Sequence, residues 1–173
     1  MSVGFTGTFY PKVDAKGRVS IPSAFREELV VNGTSDTEET APPPSSRARV
    51  YVVHGPHLDD HVEAYTVKKF AQISAKISRI PRGDPMRRSM ERNILRASTL
   101  LEIDDDGRTV LTKELREKIG AEGGGVLQFQ GYADRFEIWL DQTATEVDGE
   151  DEWLQNKKAE NPHYDLMSEL DGL

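Results

Sequence analysis

The sequence predicts a mixed α+β, β-rich fold made of two similar halves around a pseudo-twofold axis, with helices that link them. Residues 13–29 return as residues 103–119, and an Asp, a Gly, an Arg and a later Arg-Glu pair are identical at matching places. The apolar positions also keep their register in both copies. A segment duplicated within one chain indicates two internal repeats that pack like the subunits of a dimer.

Each copy begins with a predicted β-hairpin. In the first copy, strands over residues 9–13 and 18–21 flank the turn sequence Asp-Ala-Lys-Gly. Gly17 can adopt the positive φ that such a turn needs, and Asp14 can accept hydrogen bonds from the turn backbone. The matching residues 104–107 predict a second hairpin.

A short helix follows each predicted hairpin. Phe25 and Leu29 give the helix over residues 23–29 an apolar stripe, since residues four apart lie on one helix face. In the second copy, Thr112 is the predicted N-cap and Gly120 the predicted C-terminal stop. Both helices are therefore expected to bury one face.

A further strand pair is predicted in each half, over residues 50–53 and 64–65 and over residues 126–129 and 136–139. The first half also holds a polar, Pro-rich stretch that predicts a mobile surface insertion. The predicted domain boundaries are residues 1–80 for the first half with its insertion at 32–46, 81–99 for an Arg-rich linker helix, 100–153 for the second half and 154–173 for an acidic, partly disordered tail.

Two helices are predicted between the halves. Apolar residues recur at helical spacing from Val67 to Ile80, and Asp84 and Pro85 predict the start of a second helix that extends to Ala97. The second helix carries a basic stripe formed by Arg87, Arg88, Arg92 and Arg96. We interpret this stripe either as a solvated or ion-paired subunit contact or as a phosphate contact.

The negative charge of the chain is concentrated near its end. The net charge is −8, and residues 141–173 hold ten acidic residues and two lysines. The charges of the other residues therefore balance, so the low isoelectric point does not exclude a nucleic-acid partner. The absence of cysteine excludes disulfides and thiol nucleophiles. The lack of a long apolar run or a leader-like start predicts a cytoplasmic protein without a membrane span.

No pattern typical of an enzyme occurs in the sequence. A Gly-rich phosphate loop, a nucleophile elbow and a carboxylate pair repeated in both copies are all missing. The acidic stretch 102–107 resembles part of a calcium loop, but Lys113 stands where the closing Glu is required. His54, His57 and His61 lack a fourth metal ligand, and we interpret them as surface histidines. We therefore expect no catalysis, no cofactor and no metal site.

Several segments together resemble one known family. They are residues 5–9, the turn residues 14–18, the segment 21–29, the Arg-rich linker helix, residues 104–108 and residues 135–139. These segments are similar to MraZ, the family of bacterial regulators encoded at the head of the division and cell-wall gene cluster. The resemblance extends over most of the chain from Gly4 to about Trp153.

The resemblance implies the swapped-hairpin barrel of AbrB-type regulators, with one chain supplying both halves that AbrB takes from two chains. It further implies a homo-oligomer in the form of a closed ring that binds direct repeats of double-stranded DNA in the promoter of its own operon and represses it, in association with the nucleoid. The insertion at 32–46 departs from the family pattern. Asp105 and Asp106 replace Ala15 and Lys16 in the second turn, which leaves open whether both hairpins contact DNA equally.

The first turn places two cations beside a backbone that a ligand can approach closely at Gly17. Arg18 is the predicted base-reading residue, because a guanidinium can pair with O6 and N7 of guanine, and Lys16 is the predicted phosphate contact. The further predicted DNA contacts are Arg108, Lys12 and Arg26. The alternatives are that each turn arginine pairs with its own Asp and only fixes the turn, and that Arg26 forms a structural ion pair with Glu.

Two other functions stay open on the sequence alone. An antitoxin-like regulator would bind DNA with the barrel and a partner protein with the acidic tail. A ring-forming assembly protein would bind no DNA, and Lys16 and Arg18 would then have no role. Binding through phosphates weakens steeply as salt rises, so salt dependence separates the assembly protein from a DNA-binding protein.

Overall fold

The computed structural model describes residues 2–32, 47–148 and 151–173. Its fold is mixed α+β, with antiparallel sheets and several helices, which confirms that part of the prediction. The chain divides into two compact units, one that ends at Asp141 and one that begins at Gln142. The predicted insertion at 32–46 lies outside the described residues except for Asn32. None of the helices in the described part of the chain combines the length and apolarity that crossing a membrane requires.

The elements of the described residues are mostly short. The strands are β1 (Thr8–Phe9), β2 (Lys12–Val13), β3 (Arg18–Ser20), β4 (Arg49–Val53), β5 (His61–Thr66), β6 (Ser98–Glu102), β7 (Arg108–Val110), β8 (Gly125–Gly131) and β9 (Phe136–Leu140). The helices are α1 (Ser23–Asn32), α2 (Val67–Ser78), α3 (Pro85–Met90), α4 (Lys113–Ile119), α5 (Asp141–Asp148) and α6 (Glu152–Glu160). A π-helical turn (Glu91–Leu95) continues α3, and a 3₁₀ turn (Leu166–Leu170) follows α6.

The main sheet has seven strands in the order β1-β8-β9-β5-β4-β6, and β2 also pairs with β8. The sequence predicts one strand over residues 9–13, but β1 and β2 are separate. Pro11 lies between them and has no N–H to donate to a sheet. Its carbonyl oxygen still accepts a hydrogen bond from the N–H of Leu127 at 2.9 Å, so both short strands follow β8.

A separate two-stranded sheet, β3 with β7, joins the two copies of the repeated segment. Val19 lies opposite Thr109 in this pair. The N–H of Ile21 donates to the carbonyl of Gly107 at 2.9 Å, and the N–H of Leu111 donates to the carbonyl of Gly17 at 2.8 Å. Each of these contacts therefore has its counterpart at the matching place in the other copy.

The predicted pairing within each hairpin is wrong. The chain does turn back at Asp14, whose N–H donates to the carbonyl of Arg18 at 3.1 Å. Beyond that turn, however, β2 pairs with β8 and β3 pairs with β7. The strands on either side of the first turn thus find their ladder partners in the second half of the chain.

The repeated segments share their burial as well as their backbone. Residues 12–30 and 102–120 have the same succession of buried, half-buried and exposed residues. The predicted helix stripes are confirmed: Phe25, Leu29, Leu115 and Ile119 are all buried. The predicted cap is also confirmed, because Thr112 Oγ1 accepts from the N–H of Leu115 at 3.3 Å.

Phe25 lies at the centre of an aromatic cluster in the core. Its ring centroid is 4.8 to 6.5 Å from those of Phe5, Phe9, Phe129 and Phe136. These rings come from β1, β8, β9 and the N-terminal segment, so one side chain of α1 contacts several distant parts of the chain. The cluster belongs to the main hydrophobic core, which also contains Val50 and Val52 of β4 and the buried apolar residues of β5 and α4.

The linker region begins as predicted and ends earlier. Asp84 caps α3 by accepting from the N–H of Met86 at 2.8 Å, which confirms the predicted start. The helix does not extend to Ala97, because α3 gives way to the π-helical turn and the carbonyl of Ala97 accepts from the N–H of His54 at 2.9 Å. This bond starts the ladder between β4 and β6, so Ser98 belongs to a strand.

The unit that begins at Gln142 contains α6 and the 3₁₀ turn. Helix α6 starts at Glu152, and Asp151 caps it by accepting a hydrogen bond from the N–H of Leu154 at 3.1 Å. The rings of Trp153 and Tyr164 meet edge to face at 6.2 Å, and the ammonium of Lys157 lies over both.

Replacing Phe25 with Ala should lower the free energy of unfolding by about 3–5 kcal/mol, because a buried ring would leave a cavity among four other rings. Val30→Ala in the same helix is the matched control; Val30 is 63% exposed and its loss should cost under about 0.5 kcal/mol. Chemical denaturation of the two variants measures both values. Equal stability of the variants would contradict the central place of Phe25.

Candidate nucleic-acid interface

The first turn is held by the side chain of its own aspartate. Asp14 Oδ1 accepts hydrogen bonds from the N–H groups of Lys16 at 3.0 Å and Arg18 at 2.9 Å. Gly17 has a φ of +90°, and a Cβ there would collide with the carbonyl oxygen of Leu111. The turn therefore needs glycine both for its backbone conformation and for the close approach of the second copy.

Arg18 pairs with Asp14 and still reaches solvent. Its Nε donates to Asp14 Oδ2 at 2.6 Å, while 62% of the Arg18 side chain is exposed. The backbone N–H of Arg18, and then its guanidinium, lower the pKa of Asp14 below its ordinary value. The terminal nitrogens of Arg18 have no hydrogen bond to the described residues. The pairing with Asp14 thus orients the guanidinium and leaves its outer edge available.

The second turn has the same backbone but different side-chain pairing. Asp104 Oδ1 accepts from the N–H groups of Asp106 at 3.0 Å and Arg108 at 2.9 Å. Within the described residues, however, no carboxylate lies within ion-pair distance of the Arg108 guanidinium. The ion pair between turn arginine and aspartate therefore occurs in the first copy and not in the second.

Arg18 and Arg108 project from the same face of the two-stranded sheet. Arg18 lies opposite Val110 and Ser20 lies opposite Arg108, and all four are exposed while Val19 and Thr109 between them are buried. The two arginines are thus diagonal neighbours across the ribbon. Arg18 and Arg108, together with Lys12, line one open groove. A two-stranded ribbon of this kind has the width that the major groove of B-DNA admits.

The two ends of the ribbon differ in charge. Lys12, Lys16 and Arg18 surround the first turn, where Asp14 is the acid of the turn. The second turn contains Asp104, Asp105 and Asp106, and Glu102 lies in the strand before it. Arg47 offsets part of this charge, since it lies 3.4 Å from Glu102 and 3.9 Å from Asp105. The first turn is therefore the more favourable end for a polyanion.

Arg26 is placed differently from the other predicted DNA contacts. It is half-buried, its Nε has no hydrogen-bond partner in the described residues, and a Cβ at Gly107 would collide with its guanidinium. Its counterpart Arg116 donates from Nη1 to the carbonyl of Ala15 at 2.7 Å. Each helix arginine thus lies on the turn of the other copy, and no described carboxylate forms the ion pair with Arg26 that the sequence allows as an alternative.

Sequence reasoning missed several residues of this surface. Ser20 and Val110 lie on the ribbon face, Arg47 lines an adjacent groove, and Arg116 holds the first turn. The recurrence of Arg26 as Arg116 was visible in the sequence and indicated a shared structural role. The turn sequences did not reveal the pairing of β3 with β7, which places Ser20 and Val110 on the ribbon face.

The interpretation of the three residues as surface histidines is confirmed for His57, which is exposed, and is wrong for the other two. His54 and His61 have only 12% and 14% of their side chains exposed. His61 stacks on Trp139 at 4.3 Å, and His54 lies 3.2 Å from the hydroxyl of Thr99. In the part of the chain that the structure describes, no three His, Cys, Asp or Glu side chains are arranged to hold a metal.

The Asp14 carboxyl should titrate below its ordinary pKa of 3.8. A lowered pKa means that the ionised form stabilises the fold above about pH 3.8, and that this contribution is lost as pH falls through the lowered value. Arg18→Ala should raise the Asp14 pKa partway, because the backbone donors remain. Carboxyl NMR titration measures the change, and Arg108→Ala is the control that should leave Asp14 unaltered.

The comparisons with known proteins agree on one family. The family model described as "MraZ protein, putative antitoxin-like" matches residues 5–93. A protein of Cereibacter sphaeroides named transcriptional regulator MraZ is 36% identical over 99% of this chain and 98% of its own length. Relatives of the same name from Ruegeria sp. and Alcanivorax borkumensis are 34% and 30% identical, over 97% and 84% of this chain and 95% and 88% of theirs. The chain belongs to the MraZ family.

Proposed function

We propose that this protein is a sequence-specific, DNA-binding transcriptional regulator that represses its own division and cell-wall operon from the cytoplasm, at the nucleoid. The observation that carries the proposal is the exposed face of the β3–β7 ribbon, where Arg18 and Arg108 project together. The relatives named as transcriptional regulators support the general function. Their family is one of regulators, so an enzymatic activity is not proposed.

The fold that we propose is the AbrB-like swapped-hairpin barrel, formed by internal duplication. The reciprocal hydrogen bonds of Ile21 and Leu111 support it, as does the matching burial of residues 12–30 and 102–120. On this proposal, residues 1–80 and 100–153 are the two halves. Each half then supplies one strand of the ribbon and one arginine that lies on the other half's turn.

We assign base reading to Arg18. Its Nε is occupied by Asp14, so the two terminal nitrogens form the fork that can donate to O6 and N7 of a guanine. Lys16 and Lys12 are exposed on the same end and are suited to phosphates, and Gly17 lets the backbone come close. Arg108 is a secondary contact, because three aspartates precede it.

Arg26 has a supporting role in this proposal. Its position against Gly107 fits a residue that holds the second turn rather than one that touches DNA. Arg116 does the same for the first turn through Ala15. The two helix arginines therefore keep the ends of the ribbon in place for the exposed cations.

A closed ring of subunits would compensate for the small number of DNA contacts that one ribbon can make. A single ribbon can contact few phosphates, so one subunit should bind DNA weakly. Identical ribbons around a ring would meet successive direct repeats on one duplex, and the second contact would benefit from a high effective concentration. Repeats in helical phase should therefore bind far more tightly than a single repeat.

Arg18→Ala should weaken binding to the DNA upstream of this protein's own gene by about 5- to 150-fold, which corresponds to about 1–3 kcal/mol for one bidentate base contact. Preference over scrambled DNA should fall with it, since the lost contact reads a base. Fluorescence anisotropy across a salt series measures the affinity and the number of phosphate contacts.

Two further variants are compared with Arg18→Ala in that measurement. Lys16→Ala should weaken promoter and scrambled DNA alike and lower the salt slope by about one. Lys113→Ala, an exposed cation of α4 that lies near Glu117, should change neither. Wild-type protein with no preference for its promoter would refute the DNA proposal.

A duplex with several repeats in helical phase should bind at least about 100-fold more tightly than one isolated repeat. Equal affinity for the two duplexes would exclude simultaneous engagement by several subunits. A duplex of the same length with the repeats half a helical turn out of phase is the control, and it should lose most of the gain.

A further inference from the structure

The helices between the two halves form a strongly basic arm, which we define as residues 67–96. This arm comprises α2, α3 and the π-helical turn. It holds nine lysine and arginine residues and two acidic ones, a net charge of +7. Since the whole chain carries −8, so large a local excess indicates a surface that meets a polyanion.

Most cations of the basic arm are unpaired within the described residues. Both acids of the arm are engaged: Asp84 caps α3, and Glu91 lies 3.8 Å from Arg87. Arg87 is itself internal, donating to the carbonyl of Ile80 at 2.9 Å. The exposed cations with no described carboxylate within 4.0 Å are Lys76, Arg79, Arg82, Arg88, Arg92 and Arg96.

The complementary surface is the unit that begins at Gln142, which we call the acidic unit. It holds nine acidic residues and two lysines, a net charge of −7. One of the two lysines, Lys157, lies over the rings of Trp153 and Tyr164. The described acidic residues of the unit are all exposed, and so are the apolar residues Leu166, Met167 and Leu170.

The basic arm and the ribbon are separated along the chain by one strand. Strand β6 starts at Ser98, just after the π-helical turn, and ends at Glu102, just before the second turn of the ribbon. Five residues of strand span about 17 Å. The arm and the ribbon are therefore joined to opposite ends of β6, and the arm is a surface of its own.

We propose that the basic arm of one subunit binds the acidic unit of a second copy of this chain. The net charges of +7 and −7 match, and the arm also offers an exposed apolar residue, Met86, to the exposed apolar residues of the acidic unit. We assign the second copy as the partner because its acidic unit supplies the carboxylates that the described residues up to Asp141 do not provide for the six cations. The inference rests on the proposed assembly of subunits and does not depend on base reading by the ribbon.

Many weak contacts would make up this interface. An exposed ion pair contributes little by itself and is screened by salt, so the contact depends on several pairs acting together. Assembly should therefore weaken as salt rises. The apolar contribution from Met86 and the 3₁₀ turn would persist at high salt, since it does not depend on charge.

Charge reversal in the full-length protein tests the proposal. The arm variant carries Arg88→Glu, Arg92→Glu and Arg96→Glu, and the acidic-unit variant carries Glu146→Lys, Glu160→Lys and Asp171→Lys. The side chains of these six residues form no cap hydrogen bond and no ion pair in the described structure; Arg96 and Asp171 cap their helical turns through their backbone N–H groups, which the substitutions keep. Circular dichroism and thermal melting confirm that both variants fold.

Each variant alone should assemble about tenfold more weakly than the wild type at about 0.1 M salt, measured as molar mass by light scattering over a concentration series. An equimolar mixture of the two variants should regain the wild-type mass, because the reversed arm then meets the reversed acidic unit. Wild-type assembly by each variant alone would overturn the proposal.

Two further outcomes would also overturn it. If the mixture fails to recover but all six changes in one chain restore assembly, the contact lies within a single chain. If the arm variant keeps its mass but binds scrambled DNA more weakly, the arm is a DNA surface. The affinity of the wild type and of Arg18→Ala for DNA with a single repeat is measured in parallel. A failure of the proposed DNA binding is then distinguished from a failure of the proposed subunit contact.

Discussion

The antiparallel pairing of β3 with β7 is the interaction on which the rest of the structure depends. It brings the two copies of the repeated segment together through reciprocal hydrogen bonds at Ile21 and Leu111. Glycine is favoured at Gly17 and Gly107 by their positive φ, and at Gly17 also because the backbone carbonyl of Leu111 in the other copy lies where a Cβ would be. The same pairing sets which side chains face outwards, and it therefore places Arg18 and Arg108 side by side on one exposed face.

A common backbone with different charges explains how one repeat can specialise. Both turns use an aspartate Oδ1 to bind two backbone N–H groups, so their shapes match. The first turn carries Lys16, and the second carries Asp105 and Asp106. The two copies thus share the interactions that hold the ribbon together, while their exposed turn positions differ in charge.

Local features were predictable from sequence because they depend on neighbouring residues. The caps at Thr112 and Asp84 follow from the chemistry of their side chains, and the buried stripes follow from helical spacing. The exchange of strand partners did not follow from the residues of the turns, since a hairpin turn does not by itself decide with which strands its own strands pair; only the family resemblance implied a swapped arrangement. The burial of His54 and His61 likewise depends on contacts with Thr99 and Trp139, which are distant in the chain.

In the candidate site, too, the local features were predictable from sequence and the contacts between distant residues were not. The sequence indicated Arg18 and Lys16 from the turn itself, and both are exposed. It could not show that Arg18 Nε would be occupied by Asp14 while Arg108 has no described carboxylate partner, because the two turns have similar sequences. It also could not distinguish the half-buried Arg26 from an exposed cation, since that difference arises from contact with Gly107.

A structure of the protein with the DNA repeats proposed as its target is the most direct test of the central claim. The account predicts that the ribbon formed by β3 and β7 enters the major groove, with the terminal nitrogens of Arg18 on a guanine and Nε still bonded to Asp14. A complex in which the ribbon lies away from the duplex, with another surface on the bases, would contradict it.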